Sequence, residues 1–161
     1  MNNLNTSCST APVKIAFATD HAATEIRAEI IKFLESMGCV VTDYGHKTSD
    51  SCDYPDYAYK ACESVREGKN DKCVLICGTG IGMAIAANKV SGIRAAVVWN
   101  EDTARLASLH NNANALCLGA RTATIAEICA CLKVWLSTPF EQRHAGRIKK
   151  IAEIEALQCK N

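Results

Sequence analysis

The chain has 161 residues, the length of one ordinary domain, and 48% of them are hydrophobic, which is enough to fill a sizeable core. A net charge of +1 excludes a general attraction to nucleic acid or anionic lipid, so any positive site must be a local cluster. No apolar run approaches the length of a membrane span, which argues against a membrane partner.

Strand and helix patterns alternate from Val13 onward. Residues 1–12 are polar and predict a disordered tail, which leaves residues 13–161 as a single domain. Apolar runs of strand length predict five strands, at residues 13–20, 39–45, 72–79, 93–99 and 115–120. Helical spacing of apolar residues predicts helices at residues 21–38, 53–68, 81–90, 100–111 and 124–139, with an amphipathic C-terminal helix at residues 140–161.

Five strands separated by helices predict an α/β protein with a three-layer, Rossmann-like fold. The sheet should be parallel and covered by helices on both faces. In such folds ligands bind beyond the carboxyl ends of the strands. That rule selects the residues that follow each strand, among them Asp20, His21, the range 77–82 and Arg121.

Ten cysteines are scattered along the chain without a C-x-x-C pair. Cys129 and Cys131 are two residues apart in a helical stretch, so they do not share a face, and their spacing argues against a zinc site. The sequence begins without a signal peptide pattern, which argues against a disulfide framework. We therefore expect reduced thiols, a cytoplasmic location, and no metal or other cofactor.

A glycine-rich stretch, ICGTGIG at residues 76–82, follows the third predicted strand. The third glycine of a dinucleotide fingerprint is replaced by Met83, and the loop lacks the Lys-Ser/Thr ending of a Walker A motif. Met83 also stands where a C-x5-R phosphatase would have its arginine. Gly80 stands where a thioredoxin-like motif would have its second cysteine.

Two interpretations of this stretch remain. The loop is either a tight strand-to-helix turn with a buried cysteine or a site in which backbone N–H groups stabilise an oxyanion. In the second case the same N–H groups favour the thiolate form of Cys77. An aldose–ketose isomerase needs this pair, because a base removes a proton next to a carbonyl and the resulting enediolate must be stabilised.

Other candidates are ambiguous from the sequence alone. His110 ends the fourth predicted helix, where it is either a catalytic group or a packed residue at a helix terminus. Arg143 and Arg147 are four residues apart, so on one helix they would share a face that either binds a phosphate or is merely solvated. Asp53 either caps the second helix or lines a cleft.

Taken together, these stretches resemble the type B ribose-5-phosphate isomerase family, with galactose-6-phosphate isomerase subunits as related proteins. The segments that carry the resemblance occur in family order over residues 13 to about 156: IAFATDHAA, DYPDYA, ICGTGIGMAIAANKVSGIRAAVV, LHNNANALCLGAR and FEQRHAGRIKKIAEIE. The resemblance implies interconversion of ribose 5-phosphate and ribulose 5-phosphate, in the non-oxidative pentose phosphate pathway. A hexose 6-phosphate such as allose or galactose 6-phosphate, or a non-catalytic sugar-phosphate binding role, remains an alternative.

The resemblance also implies roles for individual residues. Cys77 would be the base that moves the proton between C2 and C1, Thr79 would bond the reacting hydroxyl, and His110 would open the furanose ring. The remaining residues would surround the substrate: the anion hole at Gly78, Thr79, Gly80, Ile81 and Gly82, sugar contacts from Asp20, Asp53, Tyr54 and Asn111, and phosphate contacts from His21, Arg121, Arg143, His144 and Arg147. Family members are homodimers, sometimes paired into tetramers, with active sites shared between subunits and a C-terminal helix used in dimerisation.

Overall fold

The computed structural model describes residues 11–158, and strands and helices alternate along this range. Most of the predicted tail at residues 1–12, and the last three residues of the predicted domain, lie outside the described residues. The strands are β1 (Lys14–Thr19), β2 (Val40–Asp43), β3 (Lys72–Cys77), β4 (Ala95–Val97) and β5 (Ala115–Gly119). The α-helices are α1 (Thr24–Ser36), α2 (Tyr54–Arg66), α3 (Ile81–Ala87), α4 (Glu101–Leu109), α5 (Ile125–Ser137) and α6 (Ala145–Gln158).

The five strands form one parallel sheet in the order β2-β1-β3-β5-β4, which confirms the predicted fold class. The chain leaves β1 to one side to form β2 and returns to the other side to form β3. The carboxyl ends of β1 and β3 therefore flank a topological switch point, the usual place for a ligand in this architecture.

Two apolar clusters lie on the two faces of the sheet. One contains buried residues of α1, α4 and α5, and the other contains buried residues of α2 and α3. Successive residues of β3 alternate between them, because side chains of a strand point to opposite faces: Ile76 belongs to the first cluster and Cys77 to the second. The active-site candidate Cys77 thus points toward the layer formed by α2 and α3.

Two helix starts differ from the prediction. A 3-10 turn at His21–Ala23 precedes α1, because the Asp20 carboxylate accepts a hydrogen bond from the Ala22 N–H at 2.9 Å. The C-terminal helix begins at Ala145 rather than at residue 140, after a second 3-10 turn at Gln142–His144. The Glu141 N–H donates to the Leu109 carbonyl at 2.9 Å, which holds this segment against the end of α4 in extended geometry. The expectation that Arg143 and Arg147 share one α-helical face is therefore wrong, since Arg143 precedes α6.

Helix α6 lies outside the layers and buries none of its residues in this chain. The Glu155 carboxylate accepts from the Gly92 N–H at 2.9 and 3.1 Å and fastens the helix near its end. Ile151, Ile154 and Leu157 remain exposed along it. Among the residues that the structure describes, no helix combines the length and apolar character needed to cross a membrane.

Replacing Trp135 with Phe should lower the free energy of unfolding by about 1–3 kcal/mol. The Trp135 side chain is fully buried, its Nε1–H donates to the Ala113 carbonyl at 3.2 Å, and Phe leaves that carbonyl without its partner. Urea unfolding measures the loss. Trp99→Phe is the matched control, because Trp99 is 68% exposed and its replacement should leave the unfolding midpoint unchanged. Equal effects of the two substitutions would contradict a stabilising role for the buried Trp135 and its hydrogen bond.

Candidate active site

The three central strands, β1, β3 and β5, end side by side at one edge of the sheet, here called the carboxyl edge. Backbone hydrogen bonds join the segments that leave them: the Asp20 N–H donates to the Ile76 carbonyl at 3.2 Å, and the Ala120 N–H donates to the Cys77 carbonyl at 2.8 Å. The structure therefore brings together the candidates that follow these strands, as the topology predicts.

Cys77 is the last residue of β3 and is 5% exposed. Its Sγ accepts a hydrogen bond from the Gly80 N–H at 3.2 Å. Gly80 adopts φ +79°, and a Cβ at this position would lie 2.9 Å from the Leu118 backbone. Only glycine fits both the left-handed conformation and the close approach to β5. The Ile81 N–H donates to Thr79 Oγ1 at 3.3 Å, so this predicted anion-hole donor has a partner within the loop.

Other thiols near Cys77 are held in a different environment. Burial is the main cause that raises the pKa of Cys117, well above that of a free thiol. The pKa of Cys73 is raised chiefly by its hydrogen bond to the Cys62 sulfur, 3.9 Å away, and then by burial. These thiols stay protonated and act as small apolar residues. The cysteines at the described positions are free thiols, and Cys77 is the one whose sulfur faces a backbone N–H of the glycine loop.

Asp20 and His21 lie beside this loop at the end of β1. Asp20 is 5% exposed, and one of its carboxylate oxygens caps the 3-10 turn. His21 Nδ1 accepts a hydrogen bond from the Cys52 N–H at 3.3 Å, so its neutral ring carries the proton on Nε2 and can donate it to an anion. Sequence analysis missed Cys52, whose only signal is its place directly before Asp53.

The start of α2 and the end of β5 complete the carboxyl edge. Tyr54 lies against the glycine loop so closely that a Cβ at Gly82 would be 2.6 Å from its ring. The Arg121 guanidinium lies beside Gly78. A Cβ added at Gly78 would be in van der Waals contact with its Nη1, at 3.5 Å. Asp53 occupies the N-cap position of α2, but its side chain makes no capping hydrogen bond, which leaves the carboxylate available.

The other predicted site residues lie elsewhere. His110 ends α4, and each helix between parallel strands returns the chain to the opposite edge of the sheet, here called the amino edge. Cys77 pairs with Gly119 at one end of β5, whereas His110 precedes Ala115 at the other end. The four residue steps from Ala115 to Gly119 span about 13 Å along β5. One chain therefore does not bring His110 to Cys77.

An amino-edge cluster forms around His110 and consists of His110, Glu141, Arg143, His144 and Arg147. The imidazole rings of His110 and His144 lie with their centroids 4.4 Å apart. Arg143 forms an ion pair with Glu141 at 2.7 Å, and Arg147 Nη1 donates to His144 Nδ1 at 3.2 Å. The exposed Asn111 follows directly after His110. The five predicted phosphate contacts are thus divided, with His21 and Arg121 at the carboxyl edge and the other three in this cluster.

Charges in the amino-edge cluster act on His144 and Glu141 in opposite directions. Burial is the largest cause that lowers the pKa of His144, which is 3% exposed, and the neighbouring positive charges lower it further. The negative charge of the Glu141 carboxylate acts in the opposite direction and raises the pKa of His144. The hydrogen bond from Arg143 is the main reason that the pKa of Glu141 is lowered. Sequence analysis missed Glu141, because no spacing rule links it to His110, the C-cap residue of a different helix.

His110, Glu141 and His144 offer side-chain atoms that all lie within 4.8 Å of one another, a spacing that a metal ion could bridge. A metal would need the lone pair of His144 Nε2. Because Arg147 can only donate, His144 Nδ1 is the acceptor, and the neutral ring carries its proton on Nε2. A metal-bound histidine instead donates its other N–H to a carboxylate or carbonyl. The hydrogen bond from Arg147 therefore argues against a metal ion at His144 Nε2.

The chain is a parallel α/β protein with ionisable side chains at both edges of its sheet. The chain belongs to the ribose/galactose isomerase family, whose profile matches residues 15–151, and it is therefore an enzyme of the isomerase class. The expected resemblance to type B ribose-5-phosphate isomerases is confirmed.

Individual relatives are similar over nearly their whole length. The ribose-5-phosphate isomerase B of Escherichia coli is 39% identical over 143 residues, which cover 88% of this chain and 96% of the relative. The D-erythrulose-4-phosphate isomerase of Pectobacterium atrosepticum is 38% identical over 145 residues, 89% and 95% of the two chains. The structure of ribose-5-phosphate isomerase B from Mycoplasma genitalium with bound ribulose-5-phosphate superposes with a TM-score of 0.87 and 39% identity, over 91% of this chain and 99% of that chain.

The protein should lose stability on acidification through His144. The unfolded chain protonates this histidine near pH 6.5, whereas the folded protein does so only at lower pH. The unfolded state therefore binds more protons in this window, and stability present above about pH 6.5 falls as the pH is lowered toward the folded pKa. Urea unfolding at a series of pH values should give a steeper decline for the wild type than for His144→Asn. Parallel declines would contradict the burial of a neutral His144.

Proposed function

We propose that the protein interconverts D-ribose 5-phosphate and D-ribulose 5-phosphate by proton transfer through an enediolate. The observation that carries the proposal is the Cys77 sulfur, which accepts from the Gly80 N–H in a loop of backbone donors at the switch point of the sheet. The names of the relatives, one of them solved with ribulose-5-phosphate, support the same substrate pair.

Cys77 acts as the base in this proposal. Its thiolate removes the proton from C2 of the open-chain aldose and becomes a thiol. The O2 hydroxyl proton passes to O1 within the enediolate, and the thiol returns its proton to C1, so that the ketose forms and the enzyme ends unchanged. The backbone N–H groups of residues 78–82 that are not already bonded to the Cys77 sulfur or to Thr79 Oγ1 stabilise the developing oxyanion, with Thr79 at the reacting hydroxyl. The proposed chemistry draws on side chains and backbone N–H groups of the protein, so the proposal requires no metal ion and no cofactor.

Ring opening is assigned to His110, and this assignment requires a second copy of the chain. His110 and Cys77 belong to opposite edges of the sheet in one chain, and β5, which runs between these edges, is about 13 Å long. We propose a homodimer in which the amino-edge cluster of one chain faces the carboxyl edge of the other. The unburied α6, with Ile151, Ile154 and Leu157 exposed, offers an apolar surface for that contact. Pairing of such dimers into tetramers is compatible with the proposal.

The remaining contacts follow from the same arrangement. Asp20, Asp53 and Tyr54 of one chain and Asn111 of the other would bond the sugar hydroxyls. The phosphate dianion would lie between His21 and Arg121 of one chain and Arg143 and Arg147 of the other, which concentrates positive charge locally despite a net charge of +1. The free thiols fit a reducing compartment, and we propose the cytoplasm.

A four-carbon sugar phosphate is a second candidate substrate. One relative of similar length and 38% identity is a D-erythrulose-4-phosphate isomerase, so the family supports more than one chain length. Hexose 6-phosphates remain a third possibility, as expected from the sequence. Specificity constants measured side by side for four-, five- and six-carbon aldose phosphates distinguish the three.

Purified protein should form ribulose 5-phosphate from ribose 5-phosphate in the presence of a chelator. Cys77→Ala should lower kcat by about 10³-fold or more, because general-base catalysis is worth 10²–10⁴-fold. Cys129→Ala is the matched control: it removes a half-buried thiol of α5 and should retain activity. Full activity in Cys77→Ala would disprove the assigned base.

Mixing two inactive variants tests the shared site. In a dimer of one Cys77→Ala chain and one His110→Ala chain, one site receives both intact residues and the other receives neither. Random reassociation of equal amounts should therefore restore about a quarter of the wild-type activity, as two-fold symmetry requires. Refolding the variants separately is the control. Failure to recover activity while hybrid dimers are detected by native mass spectrometry would rule out the shared site.

The role of His110 can be isolated with erythrose 4-phosphate, whose phosphorylated C4 oxygen cannot close a furanose ring. His110→Ala should lower the specificity constant for ribose 5-phosphate about 10²-fold or more. The loss for erythrose 4-phosphate should be much smaller, measured as ketose formation or as exchange of the C2 proton with solvent deuterium. Equal losses for both substrates would remove the ring-opening role.

A further inference from the structure

We propose that Glu141, His144 and Arg147 are positioning residues for His110: Arg147 and burial keep His144 neutral, and Glu141 favours a proton on His110. This inference reassigns His144, which sequence analysis placed among the phosphate contacts. It rests on the proposed function in one respect only, the use of the His110 proton in ring opening.

The first step is the contact between the two imidazoles. Their centroids are 4.4 Å apart and their planes are inclined by 42°. Two positive charges at this distance repel, so His110 and His144 form a coupled pair that accepts one proton much more readily than two. The question is which ring carries that proton.

Arg147 disfavours the protonated form of His144. Its Nη1 donates to His144 Nδ1 at 3.2 Å, and an imidazolium has no acceptor to offer, so protonation of His144 would break this hydrogen bond. His144 is also 3% exposed, which disfavours a charge on its ring. A positive charge is therefore better accommodated on His110, the more exposed ring, than on His144.

His144 is also poorly placed to bind a phosphate. Nδ1 is occupied by Arg147, and Nε2 is buried without a hydrogen-bond partner. The negatively charged Glu141 Oε2 lies 3.7 Å from Nε2, slightly beyond hydrogen-bond distance. A small rotation of the half-buried Glu141 side chain would satisfy this donor. The buried N–H thus points to Glu141 as its partner.

Glu141 supplies the charge that favours the proton. Its backbone N–H is bonded to the Leu109 carbonyl, directly before His110, which fixes the carboxylate beside the pair. The charged groups that act on this pair are Glu141 and Arg143, from the segment before α6, and Arg147 of α6. Glu141 is the single negative group among them, so its removal leaves only charges that oppose protonation.

Histidine NMR titrations of the intact protein test the electrostatic part without any assay. Glu141→Gln should shift the first protonation midpoint of the His110–His144 pair down, and Arg143→Gln should shift it up, because the two side chains act on the pair with opposite sign. Glu153→Gln is the matched control, since it removes a carboxylate of α6 that pairs with Lys149, and it should cause no shift. Shifts of the same sign in Glu141→Gln and Arg143→Gln, or none, would overturn the proposal.

Kinetics test the positioning part. Glu141→Gln should lower the ratio of specificity constants, ribose 5-phosphate over erythrose 4-phosphate, by about fivefold, the effect of one charge at 4 Å in a water-like dielectric. Glu141→Asp, which keeps the charge, should recover most of the ratio. An unchanged ratio in Glu141→Gln, where His110→Ala does lower it, overturns the inference alone. An unchanged ratio in His110→Ala overturns the ring-opening role itself, while the titrations still decide the charge distribution.

Discussion

All five strands run parallel, so each strand delivers its last residue to one edge of the sheet and each helix carries the chain back to the other. This constraint separates the ionisable residues of the protein into two groups. Cys77 and the glycine loop follow strands and lie at the carboxyl edge, whereas His110 follows a helix and lies at the amino edge. The proposed dimer is a direct consequence, because acid–base chemistry on one small sugar requires both groups within hydrogen-bond reach.

The carboxyl edge depends in turn on close packing of backbone against backbone. Gly80 approaches the Leu118 backbone in a left-handed conformation, and Gly119 leaves room for Thr79 at the same place. These contacts turn the Gly80 N–H toward the Cys77 sulfur instead of into solvent. A side chain at position 80 would push the loop away from β5, so the same residue that permits the fold also supplies the first hydrogen bond of the chemistry.

The sequence was sufficient for the strands, whose apolar runs are continuous because both faces of the sheet are covered. It was also sufficient for the carboxyl edge, because Asp20, Cys77 and Arg121 each lie at or within two residues of the end of a strand. The sequence did not predict contacts between residues that lie far apart along the chain. The contact of Glu141 with the end of α4 depends on a backbone hydrogen bond across 32 residues, and the same bond delays the C-terminal helix to Ala145. The division between edges was implicit in the topology, since His110 ends a predicted helix and therefore had to lie at the amino edge.

Arginine chemistry connects the two proposed roles of the amino-edge cluster. A guanidinium has five N–H donors in one plane, and Arg147 uses one of them for His144 Nδ1. The other donors and those of the exposed Arg143 are available to a phosphate. The positive charge of the two arginines opposes protonation of the His110–His144 pair. A phosphate dianion bound there would offset that charge. In the proposed mechanism, phosphate binding and the proton on His110 are therefore coupled through Arg147, and a substrate without a phosphate would lose part of the ring-opening step as well as its affinity.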